Sequence, residues 1–131
     1  LEAVFADIRE NIKSGKTPFE RLSIAAHTFV NYWIANPDHF RMVFMSGDIA
    51  RSDVGTFIQN EGTLAHFGFF ASLVEEVAAK GSDAKSKTDA LIASMIGVVF
   101  CANTLKDYPW TDTKQMTDLI ITGVTNRETR K

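Results

Sequence analysis

The sequence predicts an all-helical protein, and three observations carry that prediction. Large apolar residues recur three and four positions apart in one stretch after another, the spacing that puts them on a single helix face. Two Xaa-Pro pairs, Thr17-Pro18 and Asn36-Pro37, set a capping side chain directly before a proline, which suits the first helical position because its missing N–H has no partner there. No stretch alternates apolar and polar residues over a useful strand length, and neither an internal repeat nor a low-complexity tract interrupts the pattern.

The first helix is expected from Leu1 to about Lys13, with Leu1, Val4, Phe5, Ile8 and Ile12 on one side. No Ser, Thr, Asp or Asn precedes it to satisfy its free N–H groups, so Leu1 reads as a cut boundary rather than a natural start. Ser14-Gly15-Lys16 is a turn. Thr17-Pro18-Phe19-Glu20 has the form of a capping box opening the second helix, which runs to about Ala35 and carries Phe19, Leu22, Ala26, Phe29, Val30 and Trp33 as its stripe. Asn36 is expected to cap the third helix with its side-chain oxygen. That helix spans Pro37 to about Met45, turns Phe40, Val43 and Phe44 inward, and ends at Ser46-Gly47-Asp48.

From Asp48 to Gly55 the only large apolar residues are Ile49 and Val54, so a plain connection and a short helical turn both fit. The fourth helix is expected from Thr56 to Lys80, closed by Gly81. Within it Gly62 and Gly68 flank His66, Phe67, Phe69 and Phe70, a pattern that fits close packing, a kink or room for a guest molecule. Ser82 to Ser86 reads as polar linker, and the fifth helix spans about Lys87 to Leu105. From Leu91 to Ala102 this helix is apolar nearly all round, which demands cover on both sides. Tyr108-Pro109-Trp110 breaks it. Thr111 or Asp112 caps the sixth helix, whose stripe is Met116, Leu119, Ile120 and Val124, with Gly123 permitting a close approach.

Composition narrows the function. With 131 residues, 45% of them apolar and 23% charged, the chain fits one domain, and a chain of this size buries roughly two-thirds of the surface its unfolded form exposes. A formal charge of −2 with scattered basic residues argues against a grip on nucleic acid by this chain alone; only Arg127, Arg130 and Lys131 are locally positive. No apolar run is long enough to cross a bilayer and no secretory signal is visible. The single cysteine, Cys101, sits among Val98, Val99, Phe100 and Ala102, an apolar setting that suits a structural thiol and a reducing, cytoplasmic location.

Chemistry-bearing motifs are few. His27, His39 and His66 lack a second histidine or a carboxylate at chelating spacing, so no metal or other cofactor is expected. The glycines form neither a dinucleotide nor a phosphate loop, and no nucleophile elbow occurs, so no catalytic residue is assigned. The aromatic set Phe29, Trp33, Phe40, Phe44, Phe57, Phe67, Phe69 and Phe70 suffices for a plain core, yet it also has the makeup of a small-molecule pocket, with His27, Asn31, His66 and Asn103 as its polar groups.

An aromatic helix running into Asn36-Pro37-Asp38-His39-Phe40-Arg41-Met42-Val43-Phe44-Met45 resembles the regulatory domain of the TetR (tetracycline-repressor) family. Members of that family often place asparagine-proline, an acidic residue, an aromatic, arginine and then phenylalanine at this corner, and the helices that follow match the family's order along nearly the whole chain. The resemblance implies a six-helix regulatory and dimerisation domain, residues 1–131, of a transcriptional regulator. A helix-turn-helix DNA-binding domain is then expected before Leu1, and DNA is contacted only through it. The second to fifth helices would enclose a mostly apolar cavity for a small apolar or aromatic effector. The last two would pair with those of a second copy in a four-helix bundle, giving a homodimer.

Under that resemblance the pocket is assigned to His27, Val30, Trp33, Phe44, Phe67, Phe70, Met95 and Val99, and the dimer face to Ile92, Ile96, Phe100, Met116, Leu119, Ile120, Gly123 and Val124. The first helix would be the lever between head and body. Two other classes compete: a helical adaptor that offers the same apolar surface to a different protein, and a small helical lyase or isomerase with His27 or His66 as base.

Overall fold

The computed structural model describes residues 2–44, 61–78 and 83–125, with backbone alone for Glu2 and for residues 61–66. Six α-helices and no strand occur among these residues: α1 Glu2–Asn11, α2 Pro18–Ala35, α3 Pro37–Phe44, α4 Glu61–Val77, α5 Ala84–Thr104 and α6 Thr113–Thr125. The all-helical expectation therefore holds. The connection after Met45, the start of the fourth helix at Thr56, Phe57, the Gly81 cap, the His66 side chain and the basic tail lie outside the described residues.

Helix α2 is the hub, packed against each of the other five. Its stripe explains why: Leu22, Ala25, Ala26, Phe29, Val30 and Trp33 are all buried. They meet Val4, Phe5 and Ile8 of α1, Phe40 of α3, Phe70, Leu73 and Val74 of α4, Leu91, Met95 and Val99 of α5 and Ile121 of α6 in one core. Polar ties fix the same packing from outside, with Asn11 Nδ2 donating to Thr28 Oγ1 at 3.1 Å and Arg21 paired with Glu76 at 3.3 Å.

The turn entering α2 follows from its sequence. A single 3-10 turn, Ile12–Ser14, closes α1, and Gly15 then passes so close to α2 that a Cβ there would lie 2.7 Å from Arg21 Cγ and 3.1 Å from its backbone nitrogen. Thr17 Oγ1 accepts the Glu20 N–H at 3.1 Å, as a capping residue should. Glu20 Oε1 reaches one residue further back than in the usual box, accepting the Lys16 N–H at 2.7 Å.

Three local expectations change. Asn36 turns its side chain backward: Nδ2 donates to the Tyr32 carbonyl at 2.7 Å, so the amide serves the unsatisfied C-terminal end of α2 rather than the start of α3. Helix α5 begins at Ala84, about one turn before Lys87, because Asp83 caps it; its Oδ1 accepts the Ser86 N–H at 3.1 Å and its Oδ2 the Ser86 hydroxyl at 2.7 Å. The polar run that resembles a linker is thus a helix start. Gly68 is exposed, and a Cβ there would meet open space, so close packing is not what places glycine at that position.

Helix α6 is capped by Asp112, whose Oδ2 accepts the Gln115 N–H at 3.2 Å. Its innermost side is Thr117, Ile121 and Thr125 rather than the apolar stripe, since each threonine hydroxyl donates to a carbonyl one turn back and enters the core already satisfied.

Candidate functional site

The aromatic residues singled out from the sequence converge. Phe5, Phe29 and Phe70, from three different helices, form a mutual edge-to-face trio with centroids 5.7 to 6.2 Å apart. Trp33 extends it, 6.2 Å from Phe29 and 5.2 Å from Phe44, while Phe40 and Phe44 lie 5.1 Å apart one turn along α3. Edge-to-face contact at these distances is the arrangement that ring quadrupoles favour, beyond the gain from burial alone.

The Asn36-Pro37 corner builds the inner end of this cluster. Helix α2 delivers Tyr32 and Trp33 on its last turn, and α3, starting two residues after the α2 terminus, brings His39, Phe40 and Phe44 against them. The His39 ring lies 4.9 Å from that of Trp33, and the Tyr32 hydroxyl shares a 2.9 Å hydrogen bond with His39 Nδ1. Asn103 of α5 donates to the Trp33 carbonyl at 3.3 Å. The Trp33 side chain is fully buried, yet its indole Nε1 has no hydrogen-bond partner among the described residues.

Of the residues assigned to a pocket, Val30, Trp33, Phe70, Met95 and Val99 are buried together in the core, and Phe44 and Phe67 are half-buried against it. His27 lies apart, on the α6 side of α2, where its Nε2–H donates to Asp118 Oδ1 at 2.7 Å. Asn31 is exposed. The polar groups beside the rings are therefore Tyr32, His39 and Asn103. Tyr32 and His39 escape a reading by composition because each looks like an ordinary helix residue until the Pro37 corner brings them together.

Of the residues assigned to a dimer face, Ile92 is buried in the core instead, Ile96 and Phe100 of α5 and Met116, Ile120 and Val124 of α6 are half-buried, and Leu119 is 66% exposed. Added Cβ atoms at Gly97 and Gly123 would meet nothing. One side of α5 is thus fully covered by Leu91, Met95, Val98 and Val99, and the other is not.

Among the described residues, two depressions accompany these features. One, about 280 Å³, lies between α4 and α5, lined by Phe67, Gly68, Ala71, Thr88 and Ile92 with the Lys85–Asp89 ion pair. The other, about 720 Å³, lies at the α5–α6 turn, where the Tyr108 and Trp110 rings meet at 4.6 Å, tilted by 59°, beside exposed Leu105. Among the described residues no three His, Cys, Asp or Glu side chains converge as a metal site would need, and no helix is long and apolar enough to cross a membrane.

Electrostatics singles out two carboxylates. The His27 hydrogen bond, reinforced by Lys114, holds Asp118 below the usual carboxylate range, and the two Ser86 bonds do the same for Asp83. Compared with protein-family models, curated proteins and solved structures, the chain matches none of them.

Proposed function

We propose that this chain is the effector-sensing and dimerisation domain of a TetR-like transcriptional regulator: a domain that binds a small, mostly apolar molecule and pairs with a second copy. One observation carries the reading. The last two helices, α5 and α6, pack on each other and carry Leu119 largely exposed, Ile96, Phe100 and Ile120 half-covered, and two glycines that leave open space. Surplus apolar surface of this kind marks an association site. Its position on the last two helices is the one the resemblance assigns to a four-helix bundle.

Sensing fits the same architecture. Helix α2 links the aromatic cluster to α1 on one side and α6 on the other, so a molecule that spreads the rings shifts both ends at once. Such a ligand need only favour one of two arrangements, and couplings of about 1 to 3 kcal/mol change affinity 5- to 150-fold. DNA would be contacted through a helix-turn-helix domain, not through these helices, and the regulator would act in the cytoplasm.

Cysteine cross-linking tests the pairing. In a Cys101→Ser background, Gly123→Cys should give a disulfide-linked pair on mild oxidation, and Arg41→Cys, on α3 at the C-terminal end of the hub, should not. Equal and weak cross-linking at both positions would contradict the arrangement and favour the adaptor alternative, in which this surface meets a different protein.

A further inference from the structure

We propose that the indole N–H of Trp33 is the polar anchor of the effector site, and that the effector is a neutral aromatic or apolar molecule carrying an acceptor oxygen, such as a ketone, amide or ether. This rests on the reading of the core as a sensing site and names what that site recognises.

Trp33 is fully buried and its Nε1 has no partner among the described residues. Buried donors in folded proteins are almost always paired, and each exception calls for a missing partner. The chain's other tryptophan makes the contrast, since Trp110, more than a third exposed, still donates its indole N–H to the Leu105 carbonyl at 2.8 Å. The donor that water cannot reach is the one left open.

The nearby Tyr32 hydroxyl bonds His39 Nδ1 and the Asn103 Nδ2 donates to the Trp33 carbonyl, and neither residue's oxygen accepts from the Trp33 indole. The missing acceptor has to come from outside this set. The rings around Trp33 are those of Phe29, Tyr32, His39, Phe40 and Phe44, at 4.9 to 6.2 Å. No Lys or Arg side chain is among these ring neighbours, so a carboxylate would be poorly compensated there and a neutral oxygen is favoured. Neither depression reaches Trp33, so the effector enters by parting these rings; aromatic walls with a single convergent donor then suit a flat or short-chain molecule bearing one such oxygen.

The test uses two probes of nearly the same shape, 4-phenylbutan-2-one and butylbenzene, titrated into the ¹⁵N-labelled chain. Its two indole N–H resonances are assigned with Trp110→Phe. The ketone should bind about tenfold more tightly than the hydrocarbon, the worth of one satisfied hydrogen bond, and should move the Trp33 resonance downfield while that of Trp110 stays in place. Trp33→Phe should bring the two affinities together. Equal binding of both probes with an unmoved Trp33 resonance would overturn the anchor and leave an apolar site. No binding of either up to its solubility would overturn the anchor and the sensing reading together. The wild-type resonances decide even if the variant does not fold.

Discussion

His27 on α2 donates its Nε2–H to Asp118 Oδ1 on α6 across 2.7 Å, a direct tie between the hub and the last helix. Asp118 is half-exposed, so solvent screens the bond and its contribution to stability is modest. Its acid dependence has a definite sign. Because the carboxyl is held below its ordinary range in the fold, the unfolded chain binds more protons as pH drops toward about 4. The stability this provides is complete above the unfolded value and is lost as pH falls through the folded one. Asp83 adds a second contribution of the same sign. Asp118→Asn should therefore flatten the acid side of a plot of urea midpoint against pH while lowering stability at pH 7 by less than about 1 kcal/mol. An unchanged acid slope would show that the bond is not formed in solution.

The Thr17 cap makes a separate prediction. Thr17→Ala removes the acceptor of the Glu20 N–H and should lower unfolding free energy by about 1 kcal/mol, whereas Thr17→Ser should retain most of it. Chemical denaturation monitored by circular dichroism measures both.

Gly68 should respond in the opposite direction. It lies in the middle of α4 with open space where a Cβ would go, so Gly68→Ala should stabilise by about 1 kcal/mol through helix propensity alone. Gly123→Ala in α6 has the same open space within one copy. If α6 packs against a second copy there, the gain shrinks or reverses, and comparing the two substitutions at several protein concentrations separates the cases.

What the sequence disclosed, and what it did not, divides along physical lines. Periodicity located the helices, and Thr17-Pro18 and Asn36-Pro37 placed two starts to the residue, because proline acts locally at both and a capping oxygen at Thr17. The start of α5 was hidden since Asp83-Ala84-Lys85-Ser86 has no apolar residue larger than alanine; the cap is legible only through its bonds to Ser86. Burial of Trp33, Phe70, Met95 and Val99 followed from their spacing, which says that a residue faces inward but not what it meets. The pairing of Tyr32 with His39, and of His27 with Asp118 across 91 positions, depends on helix orientation that no local pattern encodes. For α6, the large residues drew attention to Met116, Leu119, Ile120 and Val124, while the deepest positions belong to threonines that carry their own hydrogen bonds.

The surface of α5 and α6 carries the account, and the mass of the particle in solution tests it most directly. Size-exclusion chromatography with multi-angle light scattering should find twice the 14.5 kDa of one chain at micromolar concentration, and Leu119→Glu, which puts a charge at the most exposed apolar position of that face, should return the particle to a single copy with its helical content intact. A wild-type particle of 14.5 kDa at every concentration tried, with Leu119→Glu indistinguishable from it, would contradict the account.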